Sequence, residues 1–270
     1  MHNHIVLQPR DVTLIRLLAE EFRVLTREQI GELVPMGSIA RLNFRLKQLR
    51  DAGYLSARNI WGFGSAVQLG YHLGPRAPEL FDETERGAVR GHAAEAAELN
   101  VAGLAHRMLV DSVHIRFLTA SRQDPNYRFL TWVDQYSPWW QKLREYGVPI
   151  QADGYGEYIM LLHFDALLTF FLELDRGTER GEGIRSKIDR YVQFAKSGQY
   201  EERFATSTPF RVLFITTGKE RLENLLKIIE RKTDSTFWLA TWKDFKNSRL
   251  MAAYWRRPHK EGFYSLSSNL

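Results

Sequence analysis

The sequence predicts an α+β chain: three helices and a glycine-tipped hairpin over residues 1–74, a linker over 75–90, and a mixed α/β core over 91–270. Three observations predict it. The first 74 residues hold three stretches of helical periodicity, followed by two alternating segments on either side of Trp61-Gly62-Phe63-Gly64. Pro75-Arg76-Ala77-Pro78 then punctuates the chain. From Tyr127 onward, short apolar runs and amphipathic stretches follow in the order strand, strand, strand, helix, strand, helix, strand, the pattern of a mixed sheet covered by helices.

Composition sets bounds on function. With 270 residues and 44% hydrophobic content the chain can bury a sizeable core. A formal charge of +5 and a pI near 9.4 favour an anionic partner. The absence of cysteine excludes disulfides, zinc–thiolate sites and thiol nucleophiles. Met1–Arg10 lacks the apolar run of a signal peptide, and the most apolar stretch, Ile159–Leu174, is broken by His163 and Asp165. A soluble cytoplasmic protein with no membrane partner is expected.

Arg10–Glu21 reads as the first helix, with Val12, Ile15 and Leu18 or Leu14 on one stripe. Thr26, three residues before Gln29, caps a second helix that runs to Leu33. Ser38 caps a third, which reaches about Ala52 and is closed by Gly53. In that third helix Ile39, Leu42, Leu46 and Leu49 fall on one side. Arg41, Asn43, Phe44, Lys47 and Gln48 point elsewhere, with Arg45 near the boundary. Ser56–Asn59 and Ala66–Leu73 complete a hairpin. Together with Leu25-Thr26-x-x-Gln29-Ile30 and Asp51-Ala-Gly-Tyr-Leu55, this arrangement resembles the bacterial winged helix-turn-helix domains. The resemblance implies double-stranded DNA as partner, met by Ser38, Arg41, Asn43, Phe44, Arg45, Lys47 and Gln48.

The core is organised around residues 148–191. Val148-Pro-Ile-Gln-Ala-Asp-Gly154 precedes the apolar run Ala166–Leu172, which ends in Glu173-Leu174-Asp175; a glycine-broken charged loop, Arg176–Gly183, then leads into a helical stretch carrying Lys187 and Tyr191. Glu173 and Asp175, two apart, share one face of a strand. If Pro149–Asp153 is a neighbouring strand, Asp153 joins them at the sheet rim, and three converging oxygen donors suit a hard divalent cation, Mg²⁺ or Mn²⁺. The alternative is that these carboxylates only solvate strand ends. The order Asp, about twenty residues, Glu-x-acid, then Lys on a helix resembles the PD-(D/E)XK nuclease core.

Other motifs carry less. Gly177-x-x-x-Gly181-x-Gly183 fits neither a Walker loop nor a full dinucleotide fingerprint, and Glu179 and Glu182 would repel a pyrophosphate. Spacings of fourteen and eight between His92, His106 and His114 make no metal pair. Glu95 and Glu98 read as helix-surface residues before they read as further ligands. Ser137-Pro-Trp-Trp140 reads as a loop plugging the core, and the basic, aromatic segment Ala253–Lys260 reads equally as a backbone-contacting or a solvated terminal element.

With the hairpin module in front, Pro149-Ile-Gln-Ala-Asp153, Leu172-Glu-Leu-Asp-Arg-Gly-Thr-Glu179 and Lys187-x-x-x-Tyr191 together resemble the plasmid replication-relaxation family, over roughly Leu14 to Thr217. The resemblance implies DNA binding and a role in replication, transfer or their control in a plasmid, phage or other mobile element. Two departures from the nuclease pattern stand out: Ala152 replaces the proline before Asp153, and Asp175 replaces the lysine two after Glu173. Lys187, beside the buried stripe of Ile184 and Ile188, is the candidate replacement. Two readings follow. In one, the chain is a Mg²⁺-dependent endonuclease with Asp153, Glu173 and Asp175 on the metal and Lys187 supporting the attacking water. In the other it is a non-enzymatic regulator whose core serves homodimerisation or binds replication or transfer proteins.

Overall fold

Helix α1 (Pro9–Glu20) begins with Pro9, whose fixed φ suits the first helical turn, and with Asp11, whose Oδ2 accepts from the Gln8 N–H at 2.7 Å. It opens the first of two units, Met1–Ile115 and Arg116–Leu270, in a computed structural model that describes residues 5–61, 67–98, 100–148, 150–161, 166–177, 181–204, 208–233 and 236–268. The fold is mixed α and β, and among the described residues no helix is long and apolar enough to cross a membrane.

In the first unit, strand β1 (Leu25–Thr26) runs straight into α2 (Arg27–Leu33). The Thr26 hydroxyl accepts from the Gln29 N–H at 3.2 Å while the Gln29 side chain accepts from the Thr26 N–H at 2.8 Å, a reciprocal cap that satisfies two otherwise orphaned donors. The Ser38 hydroxyl caps α3 (Ile39–Asp51) by accepting from the Arg41 N–H, and Gly53, at φ 83°, takes the left-handed turn that ends it. Strands β2 (Leu55–Trp61) and β3 (Val67–Leu73) pair antiparallel from Leu55 opposite Leu73 to Trp61 opposite Val67, and the sheet order is β1-β3-β2. The expected hairpin tip Gly62-Phe63-Gly64 lies outside the described residues.

One detail differs from the sequence reading. Residues 75–90, expected as a linker, hold a 3₁₀ turn (Ala77–Leu80) and the start of α4 (Glu83–Glu98). Ala77 and Phe81 are buried there, and the Arg76 guanidinium donates to the Ala52 carbonyl and lies over the Tyr54 ring, so the Pro-Arg-Ala-Pro punctuation is packed structure. The alanine- and leucine-rich stretch over 91–119, which reads as one long helix or two, belongs to two helices, α4 and α5 (Val101–Gln123), and a small core of Val24, Ile60, Ala96, Leu104 and Met108 forms beside the sheet.

The second unit is a seven-stranded sheet in the order β10-β9-β8-β7-β6-β5-β4. Strands β4 (Tyr127–Asp134), β5 (Gly154–Met160) and β6 (Ala166–Asp175) form an antiparallel meander. Helices α7 (Glu182–Lys196) and α8 (Gln199–Phe204) then return the chain so that β7 (Arg211–Thr216) lies parallel to β6. Helix α9 (Lys219–Glu230) does the same for β8 (Phe237–Thr241). Helix α10 (Trp242–Asn247) and the antiparallel β9 (Trp255–Arg257) and β10 (Lys260–Tyr264) finish the unit. One face of the sheet, with Phe171, Val212, Phe214, Phe237 and Leu239, packs on Ile184 and Ile188 of α7 and on Leu225 and Ile229 of α9. Phe117 stacks on Phe170, whose side chain points to the other face, at 4.5 Å.

The expected strand before Asp153 is displaced: β5 begins at Gly154, after Asp153, and Pro149 lies outside the described residues. Gly154 and Gly156 permit this strand, since a Cβ at Gly156 would come within 2.5 Å of the Phe170 ring and one at Gly154 within 2.7 Å of the Trp132 ring. The loop expected at Ser137–Trp140 continues as helix α6 (Trp139–Glu145); Trp140 is buried, its indole N–H donating to the Asp134 carbonyl at 2.7 Å.

Arg45 and Ile39 also depart from their expected positions. Arg45 turns inward, where its guanidinium pairs with the fully buried Asp11 and donates to the Val6 carbonyl at 2.7 Å. Ile39, assigned to the buried side, is 67% exposed. Removing Arg45 strands the Asp11 charge in the core. Arg45→Ala is expected to cost about 3–5 kcal/mol of stability, and Arg41→Ala, at an exposed position, less than about 0.5 kcal/mol. Urea denaturation of the two variants checks this; equal destabilisation would remove the structural role given to Arg45.

Candidate functional site

The second unit gathers its acids where β5 starts and β6 ends. Leu172 of β6 lies opposite Gly154, so Asp153, one residue before the ladder, stands beside Glu173. Its backbone N–H donates to the Leu172 carbonyl at 3.0 Å, and its carboxylate accepts from the Leu174 N–H at 2.7 Å. Asp153 thereby continues the strand pairing with a side chain.

Glu173 is almost wholly buried and holds two partners from α7. Lys187 Nζ donates to one carboxylate oxygen at 2.8 Å, and the Tyr191 hydroxyl donates to the other at 2.6 Å. Lys187 and Tyr191, one helical turn apart, approach the acid together because they share a helix face. Burial nevertheless dominates: it pushes the Glu173 carboxyl up to about 7, against the pull of Lys187 and with a further push from the Asp153 charge.

Asp175 shares that strand face but has different partners. The Arg221 guanidinium of α9 grips both oxygens, at 2.8 and 3.1 Å; the Thr216 hydroxyl donates at 2.7 Å and the Gly177 N–H at 3.1 Å. Burial raises this carboxyl too, but Arg221, Thr216 and Gly177 outweigh it and hold it below the usual carboxylate range. Thr216 and Arg221 escaped the sequence reading. Thr216 is signalled only as the polar end of an apolar strand, and Arg221 only as the residue before the first apolar position of α9.

Both Glu173 oxygens and both Asp175 oxygens already accept hydrogen bonds from this chain, three of the four from cationic side chains. Among the described residues no group of three His, Asp or Glu side chains is disposed to hold a metal ion. As arranged, the Glu173 and Asp175 carboxylates are compensated from within the chain. Of the other residues singled out in the sequence, Glu95 accepts from Arg23 at 3.2 Å and His92 lies 2.6 Å from the Ala19 carbonyl. His114 is buried against the Phe22 ring, which pushes its imidazole down to about 3. Glu179 lies outside the described residues.

In the first unit, α3 buries Leu42, Arg45, Leu46 and Leu49 and exposes Ala40, Arg41, Asn43, Phe44, Lys47 and Arg50. Ser38 serves as its cap, and Gln48 accepts from Arg45 at 2.9 Å. Lys47 pairs with Asp51, one turn on, and Arg27 of α2 reaches Asn43 at 3.5 Å. Beside this face lies a cleft of about 530 Å³, bounded by α3, the start of α2 and strand β3, with Arg27, Lys47, Arg50 and Gln68 among its walls.

Residues 16–208 match a family model described as replication-relaxation. No curated protein and no solved structure matches the chain. The matched span contains α3, Asp153, Glu173, Asp175, Lys187 and Tyr191, and stops before Thr216 and Arg221.

Glu173 sets a pH dependence. Its folded value, about 7, exceeds its ordinary value of 4.5, so between the two the folded chain binds more protons than the unfolded chain, and this group's contribution to stability falls as pH rises. The difference in unfolding free energy, wild type minus Glu173→Gln, is expected to fall between pH 4.5 and 7 by up to about 3 kcal/mol and then level off. Urea unfolding of both proteins across that range measures it; a difference that grows with pH would mean that the Lys187 pair outweighs burial.

Proposed function

The chain belongs to the replication-relaxation family, and on that premise we propose that it is a duplex-DNA-binding protein acting in the replication or transfer of a plasmid, phage or other mobile element. In this reading the first unit is a winged helix. The order α1-β1-α2-α3-β2-β3, with the β1-β3-β2 sheet, supports it. The observation that carries it is α3 itself: its outward face presents Arg41, Asn43, Lys47 and Arg50, with Arg27 alongside. An α-helix fits the B-DNA major groove, and cations flanking it meet the phosphates of both strands.

The second unit then acts as a folded partner module and not as a nuclease. What supports this is the internal compensation of its acids: Lys187 is tied to Glu173, and Arg221 and Thr216 to Asp175. The endonuclease reading keeps one observation in its favour, the grouping of Asp153, Glu173 and Lys187 at one sheet rim. Incubation of supercoiled DNA with Mg²⁺ or Mn²⁺ separates the two. Intact DNA with wild type and Lys187→Ala alike is expected; metal-dependent nicking lost in Glu173→Gln and Lys187→Ala would reverse the assignment.

The DNA face is tested by the salt dependence of duplex binding. Each phosphate contact contributes about one unit to the slope of log K against log salt. Arg41→Ala and Arg27→Ala are each expected to weaken binding and to flatten the slope by about one unit. Unchanged slopes in a fluorescence-anisotropy titration would place the contact elsewhere.

A further inference from the structure

The centre of the exposed α3 face is apolar. At the helical period, Ala40, Phe44 and Lys47 fall on one line, directly opposite the buried Leu42, Leu46 and Leu49. Phe44 is 64% exposed, an unusual position for a large aromatic ring on a face otherwise built from Arg41, Asn43, Lys47 and Arg50. No packing need within the first unit accounts for a phenylalanine there.

We infer that Phe44, with Ala40 one turn before it, reads thymine by contact with its C5-methyl group, and that Asn43 beside it selects adenine, so that α3 prefers A·T base pairs at the centre of its footprint. This rests on the DNA-binding reading above. The chemistry follows from the groove. The thymine methyl is the only apolar group on a base edge in the major groove, and alanine and phenylalanine are side chains that meet it. The asparagine amide has the donor and acceptor spacing of adenine N6 and N7. The cations fix the occupant as a polyanion: the exposed face of α3 carries Arg41, Lys47 and Arg50 against one acid, Asp51, and Arg27 adds to the exposed charge. A hydrophobic protein partner would instead leave these cations to be desolvated around Phe44.

The test uses the full chain. A pool of duplexes with a randomised central segment is selected for binding, and the recovered duplex is resynthesised with deoxyuridine replacing each thymidine in turn, which deletes only the methyl group. Anisotropy titrations with wild type are expected to show about a fourfold loss of affinity at one or more central positions, the worth of one buried methyl. Phe44→Ala should bind the thymine and uracil duplexes alike, and Phe44→Leu should restore part of the difference. Asn43→Ala should relax the preference for adenine. Because Phe44 and Asn43 are exposed, thermal unfolding of these variants should match wild type. Equal affinity of wild type for thymine and uracil duplexes at every position overturns the inference while leaving DNA binding intact. Discrimination that persists in Phe44→Ala also overturns it. Failure of wild type to retain any duplex from the pool overturns the DNA-binding reading, and this inference with it.

Discussion

Three buried carboxylates, each matched by a cation from another element, are the constraint on which both units depend. Asp11 in α1 is met by Arg45 in α3, Glu173 in β6 by Lys187 in α7, and Asp175 in β6 by Arg221 in α9. Removing one partner from such a pair costs far more than the pair contributes over an apolar replacement. The pairs therefore act as registers. The α1–α3 pair sets which side of α3 faces inward, and so which residues remain outside. The two β6 pairs fix α7 and α9 along one face of the sheet. Apolar stripes alone would fix them less sharply, because hydrophobic burial is non-directional.

The two acids of β6 show how environment separates chemically similar groups. They lie two residues apart on one strand face, both out of solvent, yet Glu173 is pushed up and Asp175 held down. Glu173 has one cation and one neutral hydroxyl, with the Asp153 charge opposing ionisation. Asp175 has a bidentate guanidinium, a hydroxyl and a backbone N–H. Glu173 is the more deeply buried and has the fewer donors, so burial wins there, while the donors win at Asp175.

Local chemistry was legible in the sequence; long-range placement was only partly so. The Thr26–Gln29 cap, the Ser38 cap and the Gly53 stop define helix ends through interactions within three or four residues, which a linear reading contains. The approach of Lys187 to Glu173 was accessible because an apolar strand, a glycine loop and a helix stripe set its direction. The partners of Asp175 were not, because they come from the next strand and helix, 41 and 46 residues on, and nothing local ties Arg221 to it. Arg45 misled for the same reason. Its boundary position on α3 permits either direction, and only Asp11, 34 residues earlier, decides between them. The strand near Asp153 lies later than the sequence suggests, because close rings from Trp132 and Phe170 make Gly154 and Gly156 the residues that fit there, a contact between strands that a linear reading does not contain.

The same geometry explains the departure at position 175. A lysine two residues after Glu173 would place its ammonium in the buried site now lined by Thr216 and the Arg221 guanidinium. Two cations there would repel each other. Asp175 and Arg221 are thus a matched pair: with Arg221 on α9, position 175 requires an anion. The pair also satisfies the end of β6 against β7 and α9, where a lysine aimed at the Asp153–Glu173 rim would leave Arg221 without its bidentate acceptor. Lys187 then supplies the cation hydrogen-bonded to Glu173, and it does so from a helix whose face also carries Tyr191 to the same carboxylate. Exchanging the acid at 175 is therefore a change of two residues and two secondary-structure elements, which ties the charge pattern of β6 to the packing of α9 and to the stability of the sheet.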